Sequence, residues 1–560
     1  MKKLPFINKG YSANMRFADE HSYSPNITFF FFLLTIGISF ALLFIRLFQL
    51  TIVKGSYYSR LANTNRTHEI VIEPVRGMIF DRKGIIIAQN AKPNLTSLDE
   101  RLISSRTYAD PAEALAPVVG YRQIADQTDL KTDTCLNKLA SGDTIGKKGF
   151  EKLYDCDLRG VYGKKLVEVD AHGNYLKTIS VLPPSDGKSF KLALDWELQK
   201  KTYELIKNKK AAVVALKPQN GELFVMASSP TFNPQDFEDR EREKIVELLK
   251  NPDKPLFNRA AEGLYPPGSI FKLAVAVGAL EEKKITERTI IEDNGSIKAG
   301  SLSFGNWYFL QYGKTDGPVD VVKAIRRSND IFFYRIGELL GPNHIKKWAE
   351  IMGFGRKTGF GLDEAEGTIP SPFWKKEVLG ESWFTGDTYN YSIGQGYALV
   401  TPLQIAQSTQ ALANNGTMCT PQLLRDAPGR CKKLPLSSKT LLFIQEGMKE
   451  ACAPGGTGWP LFNFTVSHTR LESARSESEP IATDSNRLKL ISTPIVVACK
   501  TGTAESNSAS ETPHAWFTAY APAKNPEIVV TVLVEESGQG SDIAGPIVHD
   551  ILTAYFERDE

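Results

Sequence analysis

An α+β fold carried behind a single membrane-crossing helix is what this sequence predicts, and three observations predict it. Residues 27–45, ITFFFFLLTIGISFALLFI, run for 19 residues without a charge. That is about the length needed to cross a hydrocarbon layer of roughly 30 Å at 1.5 Å per residue. Composition then shifts near residue 190, from polar and loop-rich to regular strand and helix patterns. Beyond that point strand-like segments lie at both ends with helices between them, as in a sheet assembled from distant parts of a chain. At 560 residues two or three domains are expected.

The apolar run has two competing readings, a buried core helix and a cleaved signal peptide. It is longer than a typical signal core, and RLFQLTIVKG follows it in place of a small-residue cleavage site. An uncleaved anchor over 27–47 is therefore expected. Lys2, Lys3, Lys9 and Arg16 precede it and would hold the tail, 1–26, in the cytoplasm; Arg46, Lys54 and Arg60 just beyond the span weaken that asymmetry. The polar remainder would lie outside, where disulfides are possible. The six cysteines are too few for a disulfide scaffold; Cys135 and Cys156 could pair within one domain. No C-x-x-C or H-E-x-x-H spacing supports a metal site, and no cofactor is implied. A net charge of +3 argues against a nucleic-acid surface. No internal repeat of solenoid period is present.

Up to residue 188 the chain is polar, with short strand-like pieces such as HEIVIEPV and GIIIAQN. FKLALDWELQKKTYELIKNKK then reads as a strand, a helix start at Asp195 and an amphipathic helix. AAVVALKPQNGELFVMASS places two apolar runs around Pro218-Gln219-Asn220-Gly221, a hairpin signal. Further on, GPNHIKKWAEIMG, TPLQIAQSTQALANNG and LSSKTLLFIQEGMKEAC read as helices. TPIVVACKTGTAES, HAWFTAYAP and EIVVTVLVEES read as strands. The charged, Ser-rich stretch 468–486, HTRLESARSESEPIATDSN, predicts a mobile surface loop.

LYPPGSIFKLAVAVGAL (264–280) is the segment that suggests chemistry. It predicts a helix with polar groups only in its first turn, Ser269 and Lys272, which share a face at spacing i, i+3. A helix start offers free N–H groups and partial positive charge, so a serine there could attack a carbonyl and leave the oxyanion on backbone donors. The serine needs a base, and Lys272 serves only when neutral; burial among Phe271, Leu273 and Val275 would favour that form. Taken alone, the pair is better read as an N-cap serine and a snorkelling lysine. Two further segments change that. RRSNDIFFY places Ser328, Asn329 and Asp330 at the start of another apolar helix, and ACKTGTAES places Lys500, Thr501, Gly502 and Thr503 on a strand. Lys500 would supply a second cation and the threonines hydrogen bonds to a carboxylate, while Gly502 would let a ligand backbone approach the strand closely.

The three segments in this order match the motif set of penicillin-binding proteins and class A β-lactamases. With NRAAEGLYPPGSIFK, SIGQGYALVTPLQIA and KTGTAES, the chain resembles class B penicillin-binding proteins, the peptidoglycan D,D-transpeptidases. RGMIFDRKGIIIAQN (76–90) and KGFEKLYDCDLRGVYGKKLVEVDAHGN (148–174) resemble the two ends of that family's N-terminal pedestal. The resemblance implies an anchor, an elongated pedestal or dimerisation-like domain over 48–188, and a transpeptidase domain over 189–560 whose central antiparallel sheet is flanked by helices. It implies Ser269 as the acylated nucleophile and Lys272 as its base or proton partner. Ser328 would relay a proton, Lys500 and Thr501 would orient substrate, and the amides of Ser269 and Thr503 would hold the oxyanion. The second motif, normally S-x-N, carries Asp330 here; with HAWFTAYAP this resembles the elongation-type, penicillin-binding protein 2-like branch, which serves cell shape. An ionised Asp330 could pair with Lys272 or Lys500 and raise that lysine's pKa, against a simple neutral-lysine account.

Implied partners are peptidoglycan stem peptides, β-lactams, membrane lipid, and a SEDS-family glycosyltransferase with other cell-wall assembly proteins, at a bacterial cell membrane with the catalytic domain outside. A serine β-lactamase would have little use for an anchor and pedestal. A β-lactam sensor would need an intracellular effector, for which about 26 residues leave little room. The intact motif set speaks against a non-catalytic scaffold. No E-D-x-x-F-like segment points to a second, glycosyltransferase activity.

Overall fold

The computed structural model describes residues 25–91, 101–102, 105–170, 172–425, 427–471, 488–506 and 512–557. The tail expected to be cytoplasmic therefore falls, up to residue 24, outside the described residues. The chain forms two compact units, Met1–Ile70 with Lys164–Val181, and Val71–Gly163 with Leu182–Glu560.

In the first unit, helix α1 (Pro25–Phe48) carries the uncharged run. Its 24 residues reach roughly 36 Å at 1.5 Å per residue, enough to span a bilayer core. None of its apolar side chains packs inside the protein; Phe30 is 75% exposed and Phe44 69%. A core helix would bury such residues, so that reading fails. A second helix, Gly55–Arg66, leads into the strand Thr67–Ile72, beside the hairpin Gly163–Val169 and Tyr175–Leu182.

The second unit is organised around a five-stranded antiparallel sheet with helices on both faces. In chain order its main elements are α2 (Trp196–Ile206), β1 (Ala211–Leu216), β2 (Leu223–Ser229), α3 (Lys272–Glu281), α4 (Val321–Arg327) and α5 (Asp330–Leu340). These are followed by α6 (Pro402–Ala413), α7 (Ser438–Ala451), β3 (Ala498–Ala504), β4 (His514–Ala521), β5 (Ile528–Val534) and α8 (Gly540–Phe556). Strand order is β2-β1-β5-β4-β3, so the sheet joins the first and last thirds of the domain. β1 and β5 pair from Ala211↔Val534 to Leu216↔Val529 and are buried at every position. Both faces are covered, which is why they read as continuous apolar runs and not as alternating ones. Asp195 caps α2 by accepting from the Leu198 N–H at 3.0 Å, and Gly221 closes the β1–β2 hairpin at φ +77°.

One core layer joins α3, α4, α5, α6 and α7 to Trp516, Tyr520 and Leu533 of the sheet; the other joins α2 and α8 to its opposite face. α3 is buried from Lys272 to Ala279, as expected of a helix apolar on all sides. The predicted loop at 468–486 is partly strand: Thr465–Leu471 pairs with Leu488–Pro494, and 472–486 lies outside the described residues.

All six cysteines are joined, Cys135–Cys156, Cys419–Cys431 and Cys452–Cys499, where only the first pair stood out in the sequence. Cys419 and Cys431 face each other across a local two-stranded hairpin, whereas Cys452 and Cys499 join the end of α7 to the edge strand of the sheet. Asp133 lies beside the first bridge, but the two sulfurs there are bonded to each other and Asp133 is held by Arg159 at 2.8 Å.

Arg76 of the RGMIF segment is buried against Glu151 at 2.7 Å and Asp155 at 2.8 Å, and Arg106 reaches Glu151 at 2.7 Å. Burial opposes ionisation of Glu151, but Arg106 and Arg76 outweigh it and hold the carboxyl at about 2. A depressed carboxyl pKa contributes stability that is present above the ordinary value of about 4.5 and is lost as pH falls toward about 2. Glu151→Ala leaves two buried guanidiniums without their shared partner. It should lower unfolding free energy by about 3–5 kcal/mol, read from denaturant melts at neutral pH. A wild-type melt would show that the cluster is not a structural clamp.

Candidate active site

The turn that delivers Ser269 is shaped by glycines. Gly268 takes φ +53°, and its N–H donates to Gly394 O at 2.9 Å. A Cβ on Gly394 would lie 2.2 Å from Gly268 O, and a Cβ on Gly268 would lie 2.9 Å from Thr503 O. The SIGQG segment and the KTGT strand thus clasp the turn from two sides. A tight turn, Gly268–Ile270, then opens into α3. Ser269 is half-buried, whereas Lys272, one turn on, is fully buried.

Lys272 Nζ donates to Asp330 Oδ1 at 2.5 Å and Ser328 O at 2.8 Å, with Ser328 Oγ at 3.4 Å. These bonds tie it to the second motif. Lys500 Nζ donates to Ser328 Oγ at 2.8 Å and Thr501 O at 3.0 Å. Ser328 lies at the junction of α4 and α5 with φ +53°, which aims its hydroxyl between the two amines. Burial pushes the Lys272 ammonium below the usual lysine range, and the charge and hydrogen bond of Asp330 offset part of that. Burial, then the charge of Lys272, push Lys500 well below that range, with Asp330 the weaker opposing influence. Asp330 thus pairs with Lys272, the first of the two partners open to it in the sequence.

β3 is the free edge of the sheet. Thr501 O accepts from Lys500 and Thr503 O from Gln395 Nε2 at 3.4 Å, so both carbonyls face away from β4. In an antiparallel strand a residue's N–H and C=O point to the same edge, so the Thr503 N–H also faces the turn that bears Ser269. The Ser269 amide, among the first of its helix, has no intrahelical acceptor. Two donors thus border the nucleophile turn. Thr503 is exposed, and Thr501 Oγ1 is held by Thr457 Oγ1 at 2.9 Å.

Gly502 also permits a close approach within the protein itself. A Cβ there would lie 2.9 Å from Trp516 Cβ, 3.2 Å from Ile270 and 3.4 Å from Pro267 O. The close approach it permits is that of the protein's own nucleophile turn.

Five contacts were not visible in the sequence. Trp307 N–H donates to Asp330 Oδ2 at 2.9 Å, and Asn306 Oδ1 accepts the Asp330 N–H at 3.1 Å. Thr457 meets Thr501, and the Cys452–Cys499 bridge ties the end of α7 to the residue before Lys500. The SIGQG segment carries part of the family resemblance, but nothing in it signals its contact with the nucleophile turn. None of these has a local signal; each is a contact across tens of residues.

The segment 211–553 matches the family described as penicillin binding protein transpeptidase domain. The chain belongs to the penicillin-binding protein transpeptidase family. Residues 93–192 of this penicillin-binding protein match the penicillin-binding protein dimerisation domain. It is 30% identical to the peptidoglycan D,D-transpeptidase MrdA of Haemophilus influenzae, over 92% of this chain and 89% of that one. It is similar to PBP2 of Helicobacter pylori, solved in complex with MreC (TM-score 0.71, 28% identity, 87% of this chain and 99% of that one). It is also similar to a chain from a peptidoglycan synthase complex that coordinates polymerization and crosslinking (TM-score 0.72, 25% identity, 95% and 98%).

Proposed function

We propose that this penicillin-binding protein is a peptidoglycan D,D-transpeptidase of the PBP2/MrdA type, working through an acyl-enzyme on Ser269. The observation that carries the mechanism is the convergence of Lys272 and Lys500 on Ser328, with Asp330 holding Lys272, beside a nucleophile turn bordered by two backbone donors. Ser269 Oγ attacks the carbonyl of the penultimate D-Ala of a stem pentapeptide and its proton passes to Lys272. The amides of Ser269 and Thr503 hold the oxyanion. Ser328 Oγ, between the two lysines, carries the proton to the leaving D-Ala amine. Lys500 and Thr501 orient the substrate, and an amine of a second stem peptide resolves the ester. A β-lactam enters the same step and stays on the serine. Residues 48–188 would serve as the pedestal and 189–560 as the catalytic domain.

The apolar, unpacked α1 supports a membrane anchor, and three disulfides suit a catalytic domain outside the cytoplasm. The relatives' complexes support an elongation role beside MreC-like and glycosyltransferase partners of the SEDS class. The test supplies the full chain with a pentapeptide donor and an amine acceptor. Expected products are free D-Ala and cross-linked peptide, both blocked by penicillin. Multiple-turnover hydrolysis of the penicillin would point to a β-lactamase instead.

Asp330→Asn separates the charge terms around Lys272. It removes the influence that raises the Lys272 pKa and leaves the burial that lowers it. The neutral amine then persists to lower pH, so the acidic limb of the acylation profile should move to lower pH, with acylation slowed roughly ten- to a hundredfold by loss of the aimed carboxylate but not abolished. An unmoved limb would show that Asp330 does not set the proton affinity of Lys272.

A further inference from the structure

Beneath the second motif lies a buried polar cluster that the mechanism above does not use. At its centre is Asp293, 1% exposed, 37 positions before Asp330 in sequence. Its Oδ2 accepts from Asn306 Nδ2 at 2.7 Å, Asn329 Nδ2 at 2.8 Å and the Asp316 N–H at 3.0 Å; its Oδ1 accepts from the Gly295 N–H at 2.8 Å. Burying a carboxylate is costly unless its acceptor sites are filled, and here four donors fill them. Asn306 and Asn329 are themselves fully buried. Asp316 Oδ2 accepts from the same Asn329 Nδ2 at 3.0 Å, and Asp316 Oδ1 from Arg327 Nε at 2.9 Å. The charged groups facing Asp293 are therefore Asp316, Arg327 through Asp316, and Lys323, whose Nζ is bound to Asp316 O at 2.7 Å.

Both asparagines lead to Asp330. Asn306 turns its other face to the Asp330 N–H at 3.1 Å, and the next residue, Trp307, gives its N–H to Asp330 Oδ2. Asn329 directly precedes Asp330 and caps α5 by accepting from the Phe332 N–H at 2.9 Å. The backbone on both sides of the Asp330 N–H and one oxygen of its carboxylate are thus held by groups referred to a single anchor. The other oxygen is left to meet Lys272 at 2.5 Å.

We propose that Asp293 is a positioning residue for acyl transfer: through Asn306 and Asn329 it fixes Asp330 so that one carboxylate oxygen is aimed at Lys272. It touches no reacting atom and acts only through that aim. The inference rests on the proposed Ser269 acyl-enzyme and names what orders its base. A misplacement on the order of 1 Å in such a group can cost about a hundredfold in rate.

The test is a double-mutant cycle on acylation by a fluorescent penicillin, using the full chain, with Asp293→Ala, Asp330→Asn and the two combined. Asp293→Ala should slow acylation roughly ten- to a hundredfold and move the acidic limb in the same direction as Asp330→Asn, because a misaimed carboxylate holds the Lys272 proton less firmly. Added to Asp330→Asn, the same substitution should cost no more than about twofold. Asn306→Ala, which removes one link and leaves the Asp293 carboxylate in place, should give the same pattern, and it carries the test if Asp293→Ala does not fold. Equal slowing in both backgrounds, an unmoved limb, or acylation at the wild-type rate would overturn the proposal. A wild-type chain that takes no label at Ser269 would instead sink the underlying acyl-enzyme reading, which keeps the two failures apart.

Discussion

Ser269→Ala is expected to take no covalent label from a fluorescent penicillin while melting close to wild type. The reactive carbonyl is met by the hydroxyl at the clasped turn, and the other hydroxyl of the cluster, Ser328 Oγ, is committed to Lys500 and 5% exposed. Loss of the nucleophile alone removes about 10⁶ in rate in serine acyl-transfer enzymes, which puts labelling below detection. Stability should change within about 0.5 kcal/mol, because Ser269 is half-buried and fills no polar network. Wild-type labelling of this variant would move the nucleophile to another hydroxyl. A strongly lowered melting temperature would mean that the turn depends on the serine as a cap.

Lys272→Ala should slow acylation by about 10²–10⁴-fold, the range for loss of a positioned general base, with affinity for unreacted penicillin little changed. The cost arises because the buried amine next to Ser328 is where the serine proton can go at neutral pH. Lys272→Arg separates proton transfer from charge. The guanidinium keeps a cation opposite Asp330 but does not give up its proton in a protein, so its acylation should be as slow as that of the alanine variant. An arginine variant that acylates normally would show that Lys272 acts as a fixed cation and that a different group, with Lys500 the nearest, accepts the proton.

How much of this was legible in the sequence depends on how far each signal reaches. Ser269 with Lys272 was readable because the pair sits at i, i+3 in a helix with no other polar residue until its end. The hairpin at Pro218–Gly221 and the strands of the sheet were readable from local apolar runs and turn residues. The resemblance placed Ser328, Asp330 and Lys500 with them, and the structure bonds Lys272 to Asp330 and Ser328 and Lys500 to Ser328. Which lysine Asp330 joins was not readable, because it depends on the left-handed turn at Ser328 and on Trp307 holding the other oxygen. The segment 293–316 has no helical or strand period to mark it. Its importance appears only when Asn306 folds back onto Asp330. A strand glycine at 502 reads as room for close approach, but its contacts with Ile270 and Trp516 arise only in the fold. Cys452 and Cys499 stand 47 positions apart on a helix end and an edge strand, so no spacing rule pairs them.

The Asp330 side chain also explains why Lys272 tolerates complete burial. A lone buried ammonium would be strongly disfavoured, and a carboxylate at 2.5 Å with two backbone-anchored supports makes the site habitable without fixing the proton irreversibly. Among the described residues, Lys500 has no carboxylate in direct contact, and it shares Ser328 Oγ with Lys272. Two ammonium groups on one hydroxyl repel each other, so the cluster favours a state in which one amine is neutral and able to take a proton.

The acyl-enzyme mechanism depends first on which atom carries the acyl group. The measurement is peptide mapping by mass spectrometry of the full chain after reaction with penicillin and removal of the free drug. One intact penicilloyl group per chain is expected, located on Ser269 in the peptide containing LYPPGSIFK. A stable adduct on any other residue, or a chain that consumes penicillin and retains no adduct, would contradict it.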